Sequence, residues 1–246
     1  MMWRCWAWLL LCWVGWANAA PQPVPLYVYH DFPPYIVGGQ PDLSHALADQ
    51  LSRRSAGRYR FKVVVLPRKR VDVLIATPGW RGVVAWVNPR WIGDNAAHLA
   101  WTAPLLDETE WWVVRRAAPQ SLQQIAQADG YRFGGLIGHH YAELDAAVRA
   151  GRIFRFDTAS MQSLVSMLLA GRVDVITMPS ATELWFHGAW PRWRERVLLL
   201  PRGAAYQRYL VSDRGDPALV RFLADSVVAL RNDPGWQPLP APLPPP

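Results

Sequence analysis

The sequence predicts an α/β protein of two lobes, each a mainly parallel sheet flanked by helices. Three observations carry this. Strand-length apolar runs alternate with helical periodicity over residues 27–87, a second set of the same kind follows over residues 110–200, and a strand and a long amphipathic helix return at 209–231. Alternation of this kind builds parallel sheets with helices on their faces. A chain that leaves one such set, completes another and comes back makes two lobes joined by crossings.

Tyr27–His30 reads as the first strand. Leu43, Ala46, Leu47 and Leu51 share one face of a helix from Leu43 to Arg53, with Asp42 placed as its N-cap. Phe61–Leu66 is the second strand, Lys69–Ala76 a short helix carrying Val71, Leu74 and Ile75, and Gly82–Val87 a third strand. The continuous apolarity of that third strand calls for burial on both faces. In the second set, Glu110–Val114 and Arg132–Ile137 read as strands, Tyr141–Ala150 as a helix and Phe154–Phe156 as a short strand. The helix Gln162–Ala170 is stopped by Gly171, and a buried strand follows over Val173–Met178. Ser180–Phe186 is helical and Val197–Leu200 extended; Tyr209–Val211 and the helix Pro217–Arg231 return to the first lobe.

The ends of the chain read differently. Arg4, the apolar stretch Trp6–Trp16 and Ala17-Asn18-Ala19 have the three-part pattern of a secretory signal cleaved after Ala19. An uncleaved anchor is the rival reading, but the run is short of the ~20 residues a bilayer span needs. Both cysteines, Cys5 and Cys12, fall inside the signal, so the exported chain is held together by its core and not by disulfides. The net charge of +7 drops by one with Arg4, the only charged residue of that segment. The remaining basic excess is mostly scattered arginine, with Arg68-Lys69-Arg70 its one local cluster. That distribution, with export, argues against a nucleic-acid partner. The tail from Pro238 to Pro246 is proline-rich and expected to be extended or disordered.

The stretch Asp31-Phe32-Pro33-Pro34-Tyr35 holds the most local information. Its two prolines end the first strand and stiffen a loop that presents Phe32 and Tyr35. Such a loop can stack a ligand or plug a core. Tyr29, and Trp86 at the end of the third strand, share this ambiguity. Gly138-His139-His140-Tyr141 turns into a helix start, whose free N–H groups suit an anion. Two adjacent histidines without a third convergent ligand do not make a metal site. No nucleophile elbow, zinc-protease motif or phosphate loop is present.

The order of these pieces resembles the periplasmic solute-binding proteins of family 3, the amino-acid-type receptors of ABC importers, as a divergent member. Phe32-Pro33-Pro34-Tyr35 is similar to that family's opening loop and Trp101-Thr102-Ala103-Pro104-Leu105-Leu106 to its crossing. Gly138-His139-His140-Tyr141 stands where the family has a glycine and small hydroxylated residues at a lobe-two helix start, and Leu168–Asp174 resembles its L-x-x-G-x-x-D element. The resemblance implies a type II fold, with a signal at residues 1–19, lobe one at 20–106 plus 205–237, an inserted lobe two at 107–204 and a tail at 238–246. It implies periplasmic binding of a small polar or anionic solute between the lobes by a monomer, hinge closure, hand-over to an inner-membrane ABC permease, and no cofactor.

The candidate ligand-binding residues are Tyr29, Asp31, Phe32, Tyr35, Trp86, Asn88, Arg90, His139, His140, Tyr141 and Ser180. Arg90 could face an anion or pair with Asp94. The family's arginine for an α-carboxylate has no match in position, since Arg90 lies several residues early, and Pro179-Ser180 stand where its acid for the ammonium belongs. A zwitterion is naturally held by both groups, so an ordinary α-amino acid is not the expected cargo. A sensing module without transport, a dehydratase-like cleft enzyme and a degenerate fold with an empty cleft are the other readings.

Overall fold

The computed structural model describes residues 20–38, 42–92, 97–116, 129–190 and 192–236; the expected signal and its cleavage site, Asp94 and the tail from 238 lie outside the described residues. Along the chain come β1 (Gln22–Val28), α1 (Leu43–Arg54), β2 (Tyr59–Val65), α2 (Arg68–Ala76), β3 (Val83–Val87) and a 3₁₀ turn over Pro89–Trp91. Two short strands follow, β4 (Leu99–Trp101) and β5 (Leu106–Glu108). The next group holds β6 (Glu110–Arg115), β7 (Tyr131–Leu136), α3 (Ala142–Arg149), β8 (Ile153–Thr158), α4 (Met161–Leu169) and β9 (Val175–Pro179). It ends with α5 (Ser180–Ala189), the single turn α6 (Trp193–Arg196) and β10 (Val197–Pro201), after which β11 (Tyr206–Asp213) and α7 (Pro217–Arg231) close the chain.

The strands form two sheets. The first runs β2-β1-β3-β11-β4, with β5 also pairing β11; the second runs β10-β6-β9-β7-β8. Pairing is parallel at the heart of each, β2/β1/β3 and β8/β7/β9, and antiparallel where β11 joins the first sheet and β6 and β10 join the second. Every residue of β3 and of β9 is buried, as continuous apolar strands covered on both faces require. Helices α1 and α7 cover one face of the first sheet through Leu47, Leu51, Leu223 and Val227, and α2 covers the other through Val71 and Ile75. In the second sheet α4 and α3 play the corresponding parts through Leu164 and Leu144. Asp42, Ser160 and Asp216 cap α1, α4 and α7 by accepting the N–H three residues on.

The first strand begins five residues before the expected Tyr27, across Pro23 and Pro25. Successive N–H groups of a strand point to opposite sides. The Gln22 N–H donates to the Arg58 carbonyl beside β2, so residues 23 and 25 face the other side, where β3 starts only opposite Leu26. The prolines therefore remove no ladder bond. Gly82, just before β3, has φ +113°, and a Cβ there would stand 2.7 Å from the Pro25 carbonyl oxygen and 2.8 Å from the Tyr27 ring. Gly82→Ala is expected to cost roughly 2 kcal/mol, from the left-handed backbone and the overpacking together. Urea unfolding measures it, and a loss below about 0.5 kcal/mol would contradict the close approach.

Candidate functional site

A cleft of about 440 Å³ lies between the two sheets and takes its walls from both. The first sheet contributes Tyr29, His30 and Phe32 just beyond β1, then Arg68, Lys69 and Asp72 on α2 beyond β2, and Trp91 from the 3₁₀ turn after β3. From the second come Leu136, Gly138, His139, His140 and Tyr141 at the end of β7 and beyond it, Met161 at the start of α4, Thr177 and Pro179 on β9, and Glu110 on β6. Arg202, Tyr206 and Arg208, on the second crossing and β11, line it between the two. Carboxyl ends of parallel strands are where open α/β sheets place ligands, and a volume in this range suits a small molecule.

Arg208 is the centre of the floor. It is only 1 % exposed. Its Nε is paired with Glu108 Oε2, Nη1 donates to the Trp86 carbonyl at 2.9 Å and reaches His30 Nε2 at 2.8 Å, and Nη2 donates to Tyr206 Oη at 3.1 Å. The guanidinium also lies over the rings of Tyr35, Trp91 and Tyr206. Glu108, equally buried, accepts in addition from Tyr35 Oη at 2.8 Å and from the N–H of Ala181, in the first turn of α5, at 3.2 Å. One carboxylate thus ties the opening loop, β11 and the second sheet's helix together.

The backbone bends to make this network. β3 and β11 lose register between Tyr209 and Val211, and Trp86 in that bulge has φ +65°. A bulky residue in the left-handed region is strained. Here the irregular backbone accompanies a Trp86 carbonyl bonded to Arg208 and an indole whose Nε1 donates to Ser44 Oγ in the core at 2.9 Å.

The other cleft cations are mounted in the same manner. Arg68 lies over the Tyr29 ring, donating to Asp72 Oδ1 at 2.7 Å and to the Trp91 carbonyl at 2.7 Å. Arg202 lies over Trp112 and Tyr141, paired with Glu110 at 3.2 Å and Glu143 at 2.5 Å. Burial and these arginines set the titration of the site. Burial, then the charges of Arg68, Arg155, Arg202 and Arg208, lowers His139 to about 4. His30 is held well below the usual imidazole range by burial first and Arg208 second. Burial pushes the Glu110 carboxyl up against the pull of Arg202. Both histidines are therefore neutral at pH 7. Among the described residues no group of three or more His, Cys, Asp or Glu side chains could hold a metal ion.

Of the residues expected at the site, Tyr29, Phe32, His139, His140 and Tyr141 are brought together in the cleft. Six are not. Tyr35 and Trp86 are fully buried beneath it, each spending its polar atom on a core partner, Glu108 and Ser44 respectively. Asn88 holds the 3₁₀ turn, accepting from the Arg90 N–H and donating to the Gln207 carbonyl. Arg90 is exposed and lines a separate shallow depression with Asn88, Asp107 and Tyr209. Asp31 points outward from the opening loop, exposed while its neighbours are buried. Ser180 Oγ accepts the Thr109 N–H and braces the first crossing. The residues of the cleft and its floor that the candidate set lacks are His30, Glu108, Glu110, Arg202, Tyr206 and Arg208. Arg68 and Lys69 carried the clearer signal, as the one cationic cluster.

No family model matches the chain, and no curated protein matches it. Solved structures do. An ancestral arginine-binding protein bound to arginine superposes with TM-score 0.67 at 12% identity, covering 89% of this chain and 96% of the other. The ancestral amino acid-binding protein AncCDT-1, described as a precursor of cyclohexadienyl dehydratase, gives 0.64 at 13% identity over 87% and 91%. Holo ArgBP from T. maritima gives 0.62 at 18% identity over 87% and 92%. The two sheets, their helices and the cleft between them are the two-lobed fold of periplasmic binding proteins that these structures share.

Proposed function

We propose that the chain is an exported receptor that binds a small polar solute between its two lobes and delivers it to an inner-membrane importer of the ABC type. The observation that carries this is the cleft itself, walled by loops from both sheets and floored by a buried arginine. Two crossings join the sheets, one through β4 and β5 into β6 and one from β10 into β11, the arrangement on which hinge closure around a ligand operates. The N-terminal pattern of residues 1–19 supports export. The solved neighbours that bind amino acids support solute binding by fold.

One observation favours a second reading, an enzyme working in the same cleft. Glu110 is a carboxyl raised by burial in the cleft wall, as a proton donor requires, and one solved neighbour is described as a dehydratase precursor. Turnover of a bound solute by the purified protein would establish it.

The test of the receptor reading is a thermal-shift screen of the chain from Ala20 against a solute library. A solute at 100 times its Kd adds about 2.7 kcal/mol, a rise of roughly 5–10 °C for a chain of this size. Trp91→Ala, in the cleft wall, should abolish the shift. Arg221→Ala, in the groove of Arg54, Arg58 and Phe222 on the far side of the first lobe, should leave it unchanged. The reverse pattern would move the site out of the cleft.

A further inference from the structure

The hydrogen-bonding groups of the cleft are unevenly spent. Its two lining carboxylates are both engaged, Asp72 by Arg68 and Glu110 by Arg202 and Tyr206. Glu108, behind the floor, is occupied by Arg208, Tyr35 and the Ala181 N–H. Among the described residues no unpaired lining acid is left to meet an ammonium group, and four cations surround the space: Arg68, Lys69, Arg202 and Arg208.

The donors, by contrast, are in surplus. Among the described residues Lys69 has no ion pair. Arg68 has five N–H donors, of which one goes to Asp72 and one to the Trp91 carbonyl. His30 is the sharpest case. Its Nε2 stands 2.8 Å from Arg208 Nη1. A guanidinium has no acceptor, so this contact assigns the acceptor role to Nε2 and the proton of the neutral ring to Nδ1. That Nδ1–H is buried and has no hydrogen-bond partner among the described residues. A buried donor without an acceptor is costly, and this one belongs to a ring that lines the cleft beside Tyr29 and Trp91, 4.1 and 6.0 Å away between ring centres. Arg68 binds the carbonyl of that same Trp91, so His30 and Arg68 converge on one end of the space.

We infer that the cleft takes a small organic carboxylate with an apolar body and no ammonium group. Its carboxylate accepts from His30 Nδ1–H, Arg68 and Lys69, and its body lies against Phe32, Trp91 and Tyr206. This rests on the cleft being a solute site and names the solute. An amino acid would set its ammonium among four cations with both described lining carboxylates already paired. A bare inorganic anion would leave the aromatic walls uncovered.

Matched pairs test this by titration calorimetry at pH 7.5 on the chain from Ala20: 3-phenylpropanoate against phenylalanine, and glutarate against glutamate, with inorganic phosphate as a third arm. The amino-free member of each pair should bind at least ten times more tightly, and 3-phenylpropanoate more tightly than phosphate. His30→Gln keeps an acceptor for Arg208 near the Nε2 position but removes the donor at Nδ1. It should weaken carboxylate binding about ten- to hundredfold, the range for a hydrogen bond to a charged group. Lys69→Ala, at an exposed position that does not touch the core, should weaken it at low salt and less at high salt. Amino acids binding as tightly as their amino-free partners would overturn the inference while leaving the receptor reading intact. So would phosphate matching 3-phenylpropanoate, or a folded His30→Gln variant of unchanged affinity. Absence of binding by every carboxylate would also overturn it, and the library screen would then decide the receptor reading by itself.

Discussion

Arg208→Leu is expected to destabilise the protein by about 3–5 kcal/mol, the cost of removing one partner from a buried ion pair. The cost arises less from the lost attraction than from what stays behind. Glu108 would remain buried and charged, facing Tyr35 and Tyr206 hydroxyls and one N–H, with no cation against it. The Trp86 carbonyl, turned by a strained backbone, would lose its donor, and His30 Nε2 would lose its own. Against a typical total of about 5–15 kcal/mol, this is enough to leave the variant marginal. Urea unfolding should show the midpoint falling by about 1–2 M. The paired change Arg208→Met with Glu108→Gln separates a buried charge from a lost contact. The glutamine carbonyl still accepts from Ala181 and its amide still meets Tyr35, so the double variant should recover at least half of the loss. A single variant costing under about 1 kcal/mol would show that the pair does not organise the floor of the cleft.

That pair also marks the limit of what the sequence discloses. The alternation of strand and helix was legible because it is local. Val83–Val87 is apolar at every position and buried at every position, and Pro217–Arg231 has the length and face that its periodicity announces. The short strands β4 and β5 were not legible, since three residues carry no period and Leu106-Asp107-Glu108 reads as a polar crossing. The site divides along the same line. Phe32 and the Gly138–Tyr141 turn were visible because loops at strand ends announce themselves by proline and glycine. Arg208 and Glu108 are 100 residues apart, and no local pattern couples them. Their signal was present but faint, an arginine within one residue of the apolar run Tyr209–Val211. Trp86 misled for a different reason. A tryptophan at a strand's carboxyl end belongs to the cleft if the strand is regular, and here a bulge turns it inward to Ser44.

The histidines of the cleft predict the second large effect, a loss of stability on acidification that belongs to His139. An unfolded imidazole takes its proton near pH 6.5, whereas burial and the charges of Arg68 on α2, Arg155 on β8, Arg202 after β10 and Arg208 on β11 keep His139 neutral down to about 4. Between those values the unfolded chain binds a proton that the folded protein refuses. Stability rises with pH wherever the unfolded state holds more protons. The contribution is therefore complete above about pH 6.5 and lost as pH falls through the window to about 4, roughly 3 kcal/mol in all. His30, depressed for the same reasons and by His139 itself, acts in the same direction. Glu110 and Asp31, whose carboxyls are raised by burial, act in the opposite one, so the whole-protein profile mixes signs and only a difference isolates His139. The comparison is between the parent chain and His139→Gln, unfolded in urea at pH 7 and at pH 4. The variant should lose about 3 kcal/mol less than the parent, and parallel losses would refute the assignment. Three of the arginines that repel this proton, Arg68, Arg202 and Arg208, line the cleft, and a bound carboxylate would offset part of their charge. Saturating 3-phenylpropanoate should therefore ease protonation of His139 and narrow the gap between parent and variant, tying the acid response to occupancy of the site.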